Sequence, residues 1–228
     1  MMRKFVNVRP YFKMTDTTEN YTAEEILKIF KEQHRLCSPL DPEADPCAEI
    51  TADMTIREWR WANDLLSWNE LSHFLNQEFH IEIPENIWYD TLEPAKTRQL
   101  IAVCELISKH AKKEYFQEKR LFGQPCLKAN VFLTIKRNIE KKGVNVSDLR
   151  PSSSLNEYLD RHFSPVIEEI TLTGTKPIDK LETRRRKNGF WNTINIFDPE
   201  RHEILTRELK TFRDLVERII EEREKNRA

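Results

Sequence analysis

The side chains that could carry out catalysis or bind a metal are few in this 228-residue chain, and they are widely spaced. His73 and His80 lie seven residues apart and could share a helix face, but no third ligand follows at the spacing of a metal site. The four cysteines form neither a zinc knuckle nor a CxxC pair, and no GxSxG motif marks a nucleophilic serine. These patterns favour a protein that holds no metal and is not an enzyme.

Ser67 stands in a defined local pattern. It opens the segment Ser67-Trp-Asn-Glu70, in which a glutamate follows a serine three residues later. This pattern is a capping box, where the serine hydroxyl and the glutamate carboxylate each accept a hydrogen bond from the other residue's backbone amide. The spacing predicts that Ser67 accepts a backbone N–H at the start of a helix.

Three further capping boxes and the periodicity of the apolar residues predict an all-α fold. The boxes are Thr22-Ala-Glu-Glu25, Thr55-Ile-Arg-Glu58 and Ser154-Leu-Asn-Glu157. In the first half, the predicted helices run from Thr22 to about Leu36, from Ser67 to Phe79 and from Thr97 to Ile107, with a short helical turn after Thr55. In the second half, one helix runs from about Leu127 to a cap at Gly143, and two others begin at Ser154 and at Ser164-Pro165. A long final helix begins at about Pro199. Trp88 and Tyr89 fall in a predicted connecting segment after Pro84.

The chain divides into two helical modules of similar order. We predict an N-terminal arm at 1–20, a first module at 21–111, a connector at 112–126 and a second module at 127–228. Each module runs helix, polar loop, short capped turn, second helix and closing amphipathic helix, which is a weak internal repeat. The polar insertion 173–199 carries alternating Ile194 and Ile196, so it is predicted to be irregular or two-stranded.

The composition excludes several classes of function. Only four residues are glycine, which disfavours folds that depend on glycine-rich phosphate loops. The net charge of −1 argues against a dedicated nucleic-acid or anionic-membrane binder. No apolar run approaches the roughly 20 residues of a membrane span, and no signal peptide is evident. These observations predict a soluble, cytoplasmic protein.

The segment DLLSWNELSHFLNQEFHIEIP, residues 64 to 84, resembles the acyl carrier and peptidyl carrier protein family. In that family an Asp-Ser-Leu triplet opens the second helix, a Glu-Leu pair follows, and an Ile-Pro turn comes after an acidic-Phe ending. The residues that match are Asp64, Leu66, Glu70, Leu71, Phe79, Ile83 and Pro84. The resemblance covers about residues 21 to 110, and a fainter one covers LNEYLDRHFSPVIEEI and TFRDLVERII in the second half.

The resemblance implies a carrier scaffold in which the attachment serine is replaced. In the family, phosphopantetheine is attached to that serine and carries an acyl or aminoacyl group as a thioester. The serine position falls on Leu65 in the first half and on Phe163 in the second, and neither side chain has a hydroxyl. We therefore expect a non-enzymatic, degenerate carrier-like protein without a cofactor, which acts as a scaffold for an unidentified protein partner.

The partner-docking residues follow from the same resemblance and from the tryptophans. Partner enzymes of the family recognise the second helix, whose surface here includes Leu65, Trp68 and Glu70. Trp59, Trp61 and Trp68 lie within ten residues, and they are either partner anchors or covers of a small core.

Two alternatives remain open at this point. In the first, a slip of the alignment places Ser67 at the attachment position, and the protein is an active carrier of acyl or aminoacyl groups on phosphopantetheine. In the second, the basic run Arg184 to Lys187 binds nucleic acid or an acidic partner through its clustered charges. The balanced overall charge favours a solvated loop for that run.

Overall fold

The computed structural model describes residues 19–113, 120–121, 124–185 and 202–225, and these residues form a mainly helical protein. They contain nine α-helices and two small antiparallel two-stranded sheets, which confirms the all-α prediction with a small strand element. Within these ranges, no helix combines the length and the apolar character needed to cross a bilayer.

The elements follow each other in two groups separated by a short hairpin. The first half contains α1 (Ala23–Cys37), a 3-10 turn (Ser38–Leu40), α2 (Ile56–Ala62), α3 (Trp68–Glu78), α4 (Glu85–Leu92) and α5 (Leu100–His110). The hairpin consists of β1 (Arg120–Leu121) and β2 (Gln124–Pro125). The second half contains α6 (Leu127–Lys141), α7 (Leu155–Arg161), α8 (Phe163–Leu172), β3 (Leu181–Arg185), β4 (His202–Thr206) and α9 (Phe212–Lys225).

Most of the predicted helix ends are formed by the residues that the sequence indicates. The capping boxes at Thr22 and Thr55 are complete, with the threonine and the glutamate bonded reciprocally. Ser154 caps α7, since its hydroxyl accepts from the backbone N–H of Glu157 at 3.3 Å. Gly143 follows α6 with a φ of +84°, the left-handed conformation that favours glycine after a helix.

Two local predictions in the first half are wrong. Thr97 does not cap α5, because its hydroxyl donates to the carbonyl of Pro94 at 3.2 Å and Gln99 is the residue that precedes the helix. Trp88 and Tyr89 lie in α4 and not in a connecting segment. Pro84 does end the periodicity of the preceding helix, but its fixed φ of −60° also places it immediately before α4.

The long final helix begins later than its apolar pattern predicts. Residues His202–Thr206 are not part of this helix, because they form β4, in which Ile204 pairs with Thr183 of β3 in an antiparallel sheet. The helix begins at Phe212. Just before it, the backbone N–H of Thr211 donates to the Asp214 carboxylate at 2.9 Å, and the backbone N–H of Asp214 donates to the Thr211 hydroxyl at 3.3 Å. The predicted two-stranded element therefore exists, but its second strand lies beyond residue 199. The predicted patch at Ile194 and Ile196 falls outside the described residues.

The short helix and the closing helix are joined in the same way in both halves. Thr55 forms an isolated antiparallel bridge with Gln99, immediately before α2 and α5. Ser154 forms the corresponding bridge with Thr211, immediately before α7 and α9. Each bridge fixes the N-terminal ends of its two helices side by side.

The buried residues form two hydrophobic cores that exchange side chains. One core is built from residues between Ile26 and Ala111, and the other from residues between Val131 and Ile219. Leu36 at the end of α1 belongs to the second core, whereas Leu172 at the end of α8 packs against the first. Tyr21 donates to the carbonyl of Leu172 at 3.2 Å, so the two halves are fastened at this point as well.

Candidate functional site

A cavity of about 150 Å³ lies where α1, α3 and α8 meet, and we call it the inter-module cavity. Its walls are mostly apolar and include four aromatic side chains, Phe30, Trp59, Phe74 and Phe163. Phe74 is 37% exposed and Ser164 is exposed, so these residues mark the side that faces solvent. The cavity therefore lies between the two halves of the protein and is formed by both.

The two positions that the carrier resemblance assigns to the attachment serine line this same cavity. Leu65 contributes from the loop before α3, and Phe163 contributes as the first residue of α8. Both side chains are half-buried, and each packs against the hydrophobic core of its own half. Apolar residues at these positions consequently have a packing role that a serine would not fill.

Glu78, the last residue of α3, places a buried carboxyl group at the inter-module cavity. The residue is 1% exposed, and the Gln33 side-chain amide donates to its Oε1 atom. Its Oε2 atom is buried without a hydrogen-bond partner in the structure. Burial raises the pKa of Glu78 to about 8, and the nearby Glu168 adds to the shift.

Lys142 joins two more carboxyl groups to this buried cluster. Its ammonium group lies 2.6 Å from Glu168 Oε2 and 3.2 Å from Glu169 Oε1, and its side chain is 3% exposed. Burial acts to lower the pKa of Lys142, but the charges of Glu169 and Glu168 outweigh it, and the pKa lies above its usual value. Burial raises the pKa of Glu168, and the bond to Lys142 opposes this change. We call Glu78, Glu168, Glu169 and Lys142 the buried charge cluster.

Cys37 lines the cavity but is not suited to nucleophilic chemistry. Burial raises the pKa of its thiol to about 12, and the neighbouring carboxyl groups of Glu78 and Glu168 act in the same direction. Reactive cysteines have lowered pKa values, since the thiolate is the nucleophile. Cys37 therefore stays protonated near neutral pH and serves as a small apolar wall residue.

A second candidate site is the exposed region around the first turn of α3, which we call the α3 surface. It comprises Trp61, Leu66, Ser67, Trp68, Glu70 and Tyr89. Trp61 is 72% exposed and Leu66 is 54% exposed, which are high values for large apolar side chains. Trp68 is half-buried, and its ring meets that of Tyr89 edge to face at a centroid distance of 5.1 Å.

Ser67 lies at the N-cap position of α3, but its side chain does not form the predicted cap. No backbone N–H of the helix donates to its hydroxyl. The hydroxyl instead donates to Glu70 Oε2 at 2.8 Å, and both residues are exposed. The predicted reciprocal box is thus replaced by a side-chain pair at the surface, which leaves the Ser67 oxygen open to solvent.

Trp59 does not belong to the α3 surface, in contrast to its predicted docking role. It is 4% exposed, and its ring packs against Phe30 at a centroid distance of 4.9 Å. Trp59 is therefore a core residue whose side chain also lines the inter-module cavity. Leu65 is half-buried and lines the cavity, so it is less accessible to a partner than predicted. Trp61 and Glu70 are exposed, as a docking role requires.

The remaining candidate residues do not assemble into a further site in the described ranges. His73 pairs with Glu85 at 3.3 Å, and no group of three or more metal-binding side chains occurs in the part of the chain that the structure describes. Arg184 is exposed on β3, while Arg186 and Lys187 lie outside the described residues.

The buried charge cluster was not predicted from the sequence. With 33% charged residues, a glutamate is too common to draw attention by itself. The available signal was the pair Glu168-Glu169 inside the apolar stretch Val166 to Ile170, because carboxyl groups are rarely buried unless they are paired.

Comparisons with protein-family models, with curated proteins and with solved structures find no match to this chain.

Proposed function

We propose that this protein is a degenerate acyl-carrier-like scaffold of two tandem modules, which binds a protein partner through the α3 surface and carries no phosphopantetheine arm. The observation that supports the missing arm is the placement of Leu65 and Phe163 in the wall of one shared cavity. An attachment residue must reach the transferase and then the partner enzymes. These two positions are instead half-buried, and each packs against the hydrophobic core of its own half.

The tandem arrangement is supported by the matching connections of the two halves. The bridge between Thr55 and Gln99 and the bridge between Ser154 and Thr211 each join a short capped helix to a closing helix. In both halves, the residue after the bridge donates a backbone hydrogen bond to a carbonyl in the opposite segment. The N–H of Ile56 donates to the carbonyl of Arg98 at 2.8 Å, and the N–H of Leu155 donates to the carbonyl of Lys210 at 2.9 Å. Such paired detail favours a repeated unit over two unrelated helical bundles.

The α3 surface indicates the chemistry of the proposed partner. It includes the exposed apolar side chains of Trp61, Leu66 and Tyr89, and large exposed aromatic side chains are frequent anchors of protein interfaces. Exposed carboxylates accompany these side chains, with Asp64 in the loop before α3, Glu70 on α3, and Glu85 and Asp90 on α4. A partner that fits would present an apolar side chain surrounded by lysine or arginine residues.

The experiment is an affinity capture from the native host with two variants of the full chain. The double variant Trp61→Ala with Leu66→Ala removes two exposed apolar side chains of the α3 surface. Leu127→Ala is the matched control, because Leu127 is also 50% exposed but lies on α6. We expect the double variant to lose a partner that the wild type and the control retain. Retention of every captured protein by the double variant would contradict the proposal.

The active-carrier alternative is favoured by one observation, the solvent-open hydroxyl of Ser67. That hydroxyl lies at the start of a helix and is bonded to a carboxylate that could accept its proton. Intact-protein mass spectrometry after co-expression with a broad-specificity phosphopantetheinyl transferase tests it. A mass increase that Ser67→Ala abolishes would replace the scaffold proposal with the carrier function, whereas an unchanged mass supports the scaffold.

A further inference from the structure

We propose that the inter-module cavity is a binding site for a small apolar organic ammonium ion, such as an aralkyl or alkyl amine. This inference is independent of the α3 surface and of any partner that binds there. It rests on the size of the cavity, on its aromatic walls and on the carboxyl groups at its inner end.

The size of the cavity sets the scale of the ligand. Its volume of about 150 Å³ equals that of an apolar protein cavity known to hold a benzene molecule, which is about 150 Å³. A ligand of one aromatic ring, or of four to six carbon atoms, would fill it. The apolar walls disfavour a ligand that is polar over its whole surface.

The aromatic side chains favour a cation over a neutral ligand. Phe30 and Trp59 form a tilted ring pair with centroids 4.9 Å apart, and Phe74 and Phe163 approach from α3 and α8. The faces of aromatic rings attract ammonium groups, and the attraction grows when the site excludes water. Aromatic walls beside carboxyl groups are a combination suited to a positive charge.

The carboxyl groups give the direction in which the ammonium group would point. Glu78 and Glu168 both line the cavity, and Glu78 Oε2 is a buried oxygen without a partner. Lys142 supplies one positive charge to the three carboxyl groups of the buried charge cluster. A ligand ammonium at the end of the cavity lined by Glu78 and Glu168 would pair with their carboxyl groups once the Glu78 side chain turns its buried Oε2 atom toward the ligand, while the apolar part of the ligand would face the rings.

The protonation of Glu78 is part of the binding step. The titratable groups near it are Lys142, Glu168, Glu169 and Cys37, and a second, smaller cavity that Glu78 also lines adds His80, Lys112 and Arg223. Without ligand, burial favours the protonated carboxyl group near neutral pH. When the ammonium ion enters, the carboxylate becomes the favoured form, and the displaced proton leaves to solvent.

The test is isothermal titration calorimetry of the full-length protein at pH 8 with three ligands of similar size and shape that differ in charge. Benzylamine is positively charged, benzyl alcohol is neutral, and benzoate is negatively charged. We expect benzylamine to bind about tenfold or more tightly than benzyl alcohol, because only the cation gains the ring and carboxylate contacts. We expect no binding of benzoate.

Two variants assign the binding to this cavity. Glu78→Gln keeps the shape of the neutral carboxyl group but cannot become charged, so we expect benzylamine to lose most of its advantage over benzyl alcohol and to keep only the part that the rings and Glu168 supply. Leu65→Trp fills the cavity from the loop before α3 and should abolish the binding of both ligands. Glu105→Gln, at an exposed position on α5, is the matched control and should bind as the wild type does.

Each outcome decides for or against the proposal. Charge-selective binding that Glu78→Gln weakens or Leu65→Trp removes supports it, and far-UV circular dichroism checks that the variant is folded. Equal binding of benzylamine and benzyl alcohol would show an apolar cavity without cation selectivity and overturn it. Absence of benzylamine binding to the wild type, as for a cavity that holds only water, would overturn it as well.

Discussion

Helices α3 and α8 follow the short capped helix of their own halves, yet they lie in different environments. In α3, Leu71, Ser72, Leu75 and Glu78 are buried, whereas Asn69 and Glu70 in the first turn are exposed. In α8, all six residues from Val166 to Thr171 are buried, because the helix packs against α1, α6 and α7. One helix is therefore a surface element and the other is the centre of the contact between the halves.

The lengths of the preceding loops account for part of this difference. Residues 63–67 separate α2 from α3, whereas His162 alone separates α7 from α8. The longer loop lets the first turn of α3 extend past the core, where Leu66 and Ser67 are exposed. The exposed first turn of α3 is thus the part that the proposed function uses for docking, whereas α8 is covered by helices of both halves.

The largest expected effect comes from removing the positive charge that stabilises α8. Lys142→Met leaves Glu168 and Glu169 buried without their ion-pair partner, and we expect a loss of about 4 kcal/mol in the free energy of unfolding. Lys128→Met is the matched control, because Lys128 pairs with Glu217 at 2.6 Å on the surface. Its loss should stay below about 1 kcal/mol in urea-induced unfolding. Equal losses would show that the cluster is not an essential part of the contact.

The second effect compares apolar side chains of the two helices. Ile170→Ala in α8 truncates a fully buried side chain and should lower the free energy of unfolding by about 3 kcal/mol. Phe74→Ala in α3 removes a larger but 37% exposed side chain, and we expect a loss of less than about 1.5 kcal/mol. Thermal and urea unfolding measure both values. A larger loss for Phe74→Ala would reverse the roles assigned to the two helices.

The third effect is a gain in stability at the point where α3 reaches α8. The raised pKa means that folded protein keeps the Glu78 proton above pH 4.5, where the unfolded chain releases it. The contribution of Glu78 to the free energy of unfolding therefore falls as the pH rises from 4.5 to about 8 and is constant beyond that range. Each pKa unit corresponds to about 1.4 kcal/mol, and structural relaxation reduces the total, so we expect Glu78→Gln to gain roughly 3 kcal/mol at pH 8.

Urea unfolding at pH 4 and at pH 8 measures this gain. At pH 4 the carboxyl group is protonated in both states, and Glu78→Gln should match the wild type within about 1 kcal/mol. A gain of the same size at both pH values would show that the side-chain amide, and not the loss of the titrating group, causes the stabilisation.

The smallest effect distinguishes the serines that precede α7 and α3. Ser154→Ala removes a hydroxyl that accepts from the Glu157 N–H, and we expect a loss of about 1 kcal/mol in the free energy of unfolding. Ser67→Ala removes a hydroxyl that bonds only to the exposed Glu70 side chain, so the change should be within about 0.5 kcal/mol. Comparable losses would indicate that Ser67 caps α3 in solution.

The sequence predicted correctly several helix ends that depend only on residues close to them in the chain. Thr22, Thr55 and Gly143 act within one turn of chain, and their positions at helix ends are as predicted. The start of the last helix was predicted wrongly because Ile204 and Leu205 fit a helical period as well as they fit a strand. Their state is decided by pairing with β3, about twenty residues earlier in the chain.

The candidate sites were predictable only in part, for a similar reason. The exposure of Trp61 and the burial of Trp59 depend on which side of α2 faces Phe30, and a run of tryptophans does not reveal this. The cavity is lined by both Leu65 and Phe163, two residues nearly one hundred positions apart in the chain. Without aligned relatives, no local pattern in the sequence could place these side chains together.

The exchange of side chains between the two cores has a consequence for how the chain could be divided. Because Leu36 belongs to the second core and Leu172 packs on the first, a fragment ending at residue 113 and a fragment beginning at residue 124 would each expose an apolar patch that fits the other. Two such polypeptides, expressed separately, should therefore recover the folded protein when mixed. This property would make the chain usable as a split reporter, in which reassembly signals that two attached proteins have met.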